Sequence, residues 1–316
     1  MNDKLRATCE SKGVFLRREA EVLGYDQRAL RIQLQTGLWH RVRHGAYTFG
    51  DIWNAADQRQ RHRILARAAY RTARTAVALS HASAVLEHTD SFWGLDLSEV
   101  DLTRLDGKSG RREAGLRQHR GKLLDGDVIE VDGVQTTSPT RAALELTTVA
   151  NTEQSLVVVN GLLHSGLCTL DGLIERYSSM DKWPNTLGTD LVLRLADRKI
   201  ESVGETRTFY LCWKFGVPAP TPQLRVLDDR GLLRGRVDFA WPAYGVFLEF
   251  DGLGKYIKYL RDGETPADAV IREKKREDLI RSLTGWRCIR LTWADLSQPD
   301  ATAARILREL SWRKSA

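Results

Sequence analysis

The chain has 316 residues, 42% of them hydrophobic and 28% charged, a globular composition long enough for roughly two domains with sizeable cores. No 18 apolar residues run uninterrupted, which excludes a membrane-spanning helix, and the charged start Met1–Arg6 lacks the apolar core of a signal peptide. Cys9, Cys168, Cys212 and Cys288 lie far apart with no Cys-x-x-Cys pair, against a disulfide framework or zinc knuckle, so the expected setting is a reducing cytoplasm.

The net charge of +7 is unevenly placed: residues 1–75 carry 15 Lys and Arg against 7 Asp and Glu, the remainder 33 against 34. A basic end on a near-neutral body suits an anionic polymer gripped by that end. Solvated helices also carry such excess, so the charge needs a reading motif beside it.

Residues 3–12 can form a helix before Gly13, and Val14-Phe15-Leu16 anchors a second that runs through Arg17–Leu23 to Gly24. Asp26 is a candidate N-cap for a third, Gln27–Thr36, stopped by Gly37. Leu30 and Leu34 would face the core, leaving Gln27, Arg28, Arg31 and Gln35 outward, side chains suited to base edges in a major groove. Leu38–Val42 and Ala46–Phe49 flank Arg43-His44-Gly45 and read as a β-hairpin. Arg41, Arg43 and His44 fall near its tip, where a wing would meet phosphates. The competing reading is a small helical subdomain with a solvated basic face. Gly13-Val14-Phe15-Leu16-Arg17, the Gly24 turn and Gly37–Tyr47 together resemble the N-terminal winged-helix domain of AbiE-type antitoxins over roughly 50 residues. The resemblance implies operator binding and repression, with a cognate toxin or a second copy as further partners.

Residues 57–88 look helical, an alanine-rich stretch decorated by Arg59, Arg61, Arg63, Arg67, Arg71 and Arg74, chiefly a solvated face. Leu79-Ser80-His81-Ala82-Ser83-Ala84 resembles a segment that follows the winged helix in antitoxin-like proteins, and is assigned to packing. Strand-like pieces between 99 and 137 precede helices at about 139–150, 152–165 and 169–178. His62, His81, His88, His119 and His164 show no metal-ligand spacing. Gly107-Lys108-Ser109 imitates the end of a phosphate loop, but Leu102 stands where the upstream glycine is required; Gly252–Tyr256 fails as well.

From Ser202 the order becomes α-β-β-β-α-β: a helix to Phe215, strands at 224–227, 236–240 and 245–250, a helix from N-cap Thr265 with Pro266 next to Thr284, a strand at 286–291 and a closing helix at 301–310. Four acids fall on this order. Glu205 lies early in the first helix, Asp238 in a strand, and Glu249 and Asp251 at the end of the apolar run Val246-Phe247-Leu248. Residues two apart on a strand share a face, so Glu249 and Asp251 can share a site. Crowded carboxylates repel unless a cation relieves them, and hard oxygen ligands suit Mg²⁺ or Mn²⁺, which can activate water at a scissile phosphate. Ser202-Val203-Gly204-Glu205 also fits a capping box, and Asp251-Gly252 a plain turn. Arg272, Lys275, Arg276 and Arg281 read mostly as a solvated helix face, and Trp286 and Trp293 as core.

Arg236–Pro242, Leu248–Gly252, Arg272–Asp278 and Gly285–Arg290 resemble the PD-(D/E)XK nuclease superfamily, nearest its very-short-patch-repair-like branch, over about residues 200–310. The resemblance implies Asp238 and Glu249 as metal ligands, with Asp251 beside them and Glu205 as the helix acid near the site. Asp251 occupies the place of the Glu-x-Lys lysine; Lys255, or Lys274 on the next helix, would then substitute for it.

The expected architecture is α/β, or α+β overall. Residues 1–55 would form the winged helix-turn-helix, 56–185 a connector, and 186–316 a restriction-endonuclease-like αβββαβ core. The leading function is Mg²⁺- or Mn²⁺-dependent hydrolysis of double-stranded DNA targeted by the winged helix. Its rival is an antitoxin or repressor on a catalytically silent nuclease scaffold. RNA is a substrate class that the acids do not distinguish from DNA.

Overall fold

A computed structural model describes residues 2–113, 115–180, 183–252 and 265–311. The fold is mixed α/β with three separate sheets, arranged as two compact units, residues 1–194 and 195–316. No helix among the described residues is long and apolar enough to cross a membrane.

The first unit opens with α1 (Asn2–Lys12), β1 (Phe15–Leu16), α2 (Arg17–Val22), α3 (Gln27–Gln35), β2 (Trp39–Arg43) and β3 (Ala46–Phe49). The sequence reads Val14-Phe15-Leu16 as apolar anchors for the following helix; Phe15 and Leu16 also form a strand, pairing antiparallel with Tyr47 and Ala46 in a sheet ordered β1-β3-β2. Strand alternation explains the pairing. Phe15 and Tyr47 enter one core with Leu5, Leu30 and Trp39, while Leu16 and Ala46 enter a second with Ile64 and Ala68. Both faces of the short strand are thereby covered.

After α4 (Gly50–Ala55) and α5 (Gln58–Arg71) the chain forms β4 (Val77–Leu79) inside the stretch expected to stay helical, then α6 (His81–His88). All three β4 residues are buried, paired antiparallel to β5 (Val100–Arg104) and parallel to β9 (Val134–Thr137), so sheet pairing overrides the helix propensity of the alanine-rich sequence. With β6 (Arg112–Glu113), β7 (Leu116–His119) and β8 (Val128–Val131) the sheet is six-stranded, ordered β6-β7-β5-β4-β9-β8. Helices α7 (Pro139–Thr147), α8 (Thr152–His164), α9 (Leu170–Ser178) and α10 (Leu187–Leu195) complete this half.

The second unit contains α11 (Val203–Lys214), β10 (Thr221–Leu227), β11 (Leu233–Trp241), β12 (Val246–Phe250), α12 (Pro266–Thr284), β13 (Arg287–Leu291), α13 (Trp293–Leu296) and α14 (Pro299–Ser311). Its sheet runs β10-β11-β12-β13, antiparallel except for the parallel β12–β13 pair, which a crossover through α12 makes possible. On β12, Val246, Leu248 and Phe250 face α11 and α14, while Phe247 faces Ile280 of α12. Gly204 lets α11 approach that sheet: a Cβ there would lie 2.0 Å from a ring carbon of Phe250.

Candidate functional site

Two places hold the side chains singled out in the sequence, one in each unit. In the first, the Asp26 carboxylate caps α3 by accepting from the Ala29 N–H at 2.7 Å. Leu30 is buried beside Trp39, which in turn packs edge-on against Phe15 with ring centroids 4.7 Å apart. That anchoring fixes the opposite face of the helix, and Gln27, Arg28, Arg31 and Gln35 are all exposed on it. Arg28, Arg31 and Gln35 recur at i, i+3 and i+7 and form one stripe. Past the α3 end, Arg41 and His44 are exposed, whereas Arg43, next to a register shift in the β2–β3 ladder, is half-buried. Arg43 and His44 line a cleft of about 700 Å³ shared with Leu102, Glu113 and Gln118. Burial lowers the Arg43 pKa and the Glu113 carboxylate opposes that shift.

In the second unit the acids collect where strands β11 and β12 part. Their ladder runs from Trp241↔Val246 to Phe239↔Leu248. The ladder ends there, with Asp238 and Glu249 each one residue beyond the last pair, and a side chain takes the place of a backbone acceptor: the Phe250 N–H donates to the Asp238 carboxylate at 2.8 Å. Asp238 and Glu249 are both buried, as is Glu205. Glu249 accepts from Arg276 Nη2 at 2.9 Å, and the same guanidinium donates through Nη1 to the Arg236 carbonyl at 2.6 Å. Asp251 is tied to the sheet by its N–H on the Leu291 carbonyl, 2.7 Å away. Its carboxylate lies 3.7 Å from Arg290, which also grips Glu277 at 2.5 Å. The nearby Cys288 thiol is pushed up to about 12 by burial and by the Glu277 and Glu249 carboxylates.

Glu205 meets the capping alternative halfway, since Ser202 caps the helix but the Glu205 carboxylate reaches the Glu201 N–H in place of the Ser202 N–H. Its N–H donates to Ser202 Oγ at 3.2 Å, while its carboxylate accepts from Ser202 Oγ at 2.7 Å, from the Glu201 N–H at 3.1 Å and from Gln223 Nε2 at 2.8 Å. Gln223 sits within β10 at φ +53°, a left-handed backbone that a non-glycine residue adopts at a cost of about 1–3 kcal/mol. That distortion stands beside the Asp238 position on the neighbouring strand, between the pairs Pro222↔Phe239 and Leu224↔Val237.

Two participants escape the sequence reading. Arg276 was assigned to a solvated face, yet it turns inward onto Glu249 because the buried carboxylate offers it a charge-assisted bond. Gln223 gives no sequence signal, since neither glycine nor a turn motif marks its backbone. Trp293, expected in the core, is 38% exposed and meets Phe250 edge-on at 5.1 Å. Lys274 is exposed on α12, and Lys255 lies outside the described residues.

Among the described residues no group of three or more His, Cys, Asp or Glu is clustered as a metal centre by itself; Asp238 and Glu249 are the buried acids next to the end of the β11–β12 ladder. No protein-family model matches this chain, and no curated protein matches it significantly.

Proposed function

We propose that this chain binds DNA through its N-terminal segment and hydrolyses DNA phosphodiesters with Mg²⁺ or Mn²⁺ in its second unit. On this reading α1–α3 with β1–β3 form a winged helix, and α11, β10–β13 and α12 form a restriction-endonuclease-like core. The observation that carries it is the pair of buried carboxylates, Asp238 and Glu249, on adjacent strands where their ladder opens. Burying two acids side by side is expensive without a cation, so their retention at a strand end points to one.

The residues present fit such an ion. Mg²⁺ commonly takes one or two carboxylates and completes its shell with water and substrate phosphate, and Asp238 and Glu249 supply that number of hard oxygens. When bound there, the ion supplies an activated water and neutralises charge developing on the phosphate. The chain's own groups do the rest. The Phe250 N–H orients the Asp238 carboxylate, and Gln223 and Ser202 fix Glu205. Arg276 and Arg290 place positive charge beside the acids, where phosphate oxygens would arrive. On α3, Arg28 and Arg31 are free to meet base edges or phosphates.

A second reading is favoured by one contact. The Arg276 guanidinium already neutralises Glu249, and Asp251 holds the usual lysine position, as in a repressor or antitoxin whose nuclease scaffold is silent. Incubating the full chain with supercoiled plasmid in Mg²⁺ or Mn²⁺ separates the two. Nicking that chelator abolishes, and that Asp238→Ala and Glu249→Ala both lose, supports the enzyme. DNA retardation by all three proteins without nicking supports the silent scaffold.

A further inference from the structure

A second polar site lies in the first unit, built on the six-stranded sheet. Strands β5 and β7 run parallel with Asp101↔Arg117 and Thr103↔His119 in register. Alternation therefore puts these four side chains on one face of the sheet. On that face the His119 and His81 rings stack with centroids 3.7 Å apart and planes 19° from parallel. Asp101 orients His119 through a 2.7 Å contact to Nε2. His81 heads α6 at φ +48°, held in that strained backbone by its N–H on Glu145 Oε2 at 3.2 Å. Burial and the neighbouring His119 push its pKa down to about 3, so its ring is neutral.

Beneath the histidines lies Arg141, fully buried at 0% exposure. Its Nε donates to Glu145 at 2.8 Å, and Nη1 to Asp127 and to the Lys122 carbonyl, each at 3.1 Å. The guanidinium stacks over Trp183 with 4.2 Å to the ring centroid. Those contacts use Nε and Nη1. Among the described residues Arg141 Nη2 has no hydrogen-bond partner, and neither does the buried Thr103 Oγ1. A buried guanidinium nitrogen left without an acceptor is costly, more so than a neutral group.

Both residues line one cleft of about 520 Å³, whose rim carries exposed Arg117, Arg120 and Lys122. That volume is within the range of small-ligand sites. Gly121 stands in its wall, and a Cβ there would crowd Arg141 Nη2 at 3.0 Å. The cleft thus has an unpartnered donor at its floor, a hydroxyl beside it and three cations at its mouth.

We propose that this cleft binds a terminal phosphate, a phosphomonoester dianion seated on Arg141 Nη2 and Thr103 Oγ1. Charge-assisted N–H bonds to phosphate are among the stronger polar contacts, and Arg geometry suits them. The depth of Arg141 selects a chain end over a backbone phosphodiester, which would need room on both sides. Two sources carry that group: a free mononucleotide and the 5′-phosphate of a DNA end.

The test is calorimetric titration of the full chain with AMP, inorganic phosphate and adenosine, and with one short duplex bearing either a 5′-phosphate or a 5′-hydroxyl. AMP and inorganic phosphate should bind and adenosine should not. Gly121→Val, and separately the rim variant Arg117→Ala/Arg120→Ala, should weaken AMP at least 10-fold, the exposed rim variant while leaving the thermal unfolding midpoint of the unliganded protein nearly unchanged. A duplex that gains affinity from its 5′-phosphate, with the gain lost in Gly121→Val, identifies the DNA end as the source; a gain confined to AMP identifies the nucleotide. Equal binding of adenosine and AMP, no binding of any phosphate compound by the wild type, or AMP affinity unaltered by both variants overturns the proposal.

Discussion

The two polar clusters are built from the same ion pairs with opposite charge innermost. In the first unit the innermost group is a cation: Arg141 has no exposed side-chain surface, and Asp127 and Glu145 surround it, with Arg176 reaching Asp127 at 2.6 Å. In the second the innermost groups are carboxylates, while their cations sit outside them, Arg276 at 28% and Arg290 at 37% side-chain exposure. The group that has lost its water gains most from a new partner, so the innermost charge selects the ligand's sign. A buried guanidinium with a spare nitrogen suits an anion. Buried carboxylates whose cations stand at the edge suit a metal ion that can share or displace them.

The largest effect separating the clusters should be on stability. Arg141→Leu leaves Asp127 and Glu145 buried without their shared cation and should cost the first unit about 3–5 kcal/mol, measured by urea denaturation. Arg276→Gln removes a half-exposed cation but keeps an amide N–H for the buried Glu249, and should cost less than Arg141→Leu in the same assay. Equal losses would remove the distinction between an inner and an outer cation.

Acid should also act on the first unit before the second. Burial lowers the pKa of His62 and His88 and, with help from His119, that of His81 to about 3. A histidine lowered in the fold binds its proton more readily when unfolded, so stability falls as pH drops below about 6.5. His81 alone should cost on the order of 2–3 kcal/mol between pH 6.5 and 4.5. Thermal midpoints across that window check this, and His81→Asn should flatten the slope.

Asp238→Asn keeps an oxygen for the Phe250 N–H but removes the charge. It should lower nicking by more than about 100-fold, the upper end of what outer-shell partners cost, with the unfolding midpoint shifted by no more than ~2 °C. A large stability loss would make Asp238 a structural acceptor. On the α3 stripe, Arg31→Ala should weaken DNA binding by about 1–3 kcal/mol and reduce discrimination if it reads a base, or lower the salt slope by about one if it meets a phosphate. The smallest change belongs to Arg276→Gln, which should tighten Mn²⁺ binding a few-fold by relieving Glu249 of its competing guanidinium.

The contrast extends to what could be read from the chain. Glu249 and Asp251 lie two apart at the end of an apolar run, so strand periodicity suggests a shared face for those two, whereas Asp238 joins them only through the resemblance to the nuclease superfamily. Thr265-Pro266 announced the following helix, which begins at Pro266 with the Thr265 hydroxyl accepting from the Asp268 N–H at 3.2 Å. Arg276 was not legible because its neighbours Arg272–Asp278 are nearly all charged, and helical phase alone did not show which would turn inward. Asp101, His119, Arg141 and Arg176 belong to separate elements, β5, β7, α7 and α9, and Asp127 precedes β8. No local spacing marks them, and the β4 strand that organises their sheet is three residues long within an alanine-rich stretch.

The central claim, that Asp238 and Glu249 hold a divalent cation, is tested most directly by titrating Mn²⁺ into the full-length protein without DNA and reading the heat. Wild type should show one saturable site, weakened at least 10-fold in both Asp238→Ala and Glu249→Ala. Absence of binding in the wild type, or equal binding by all three proteins, would contradict it.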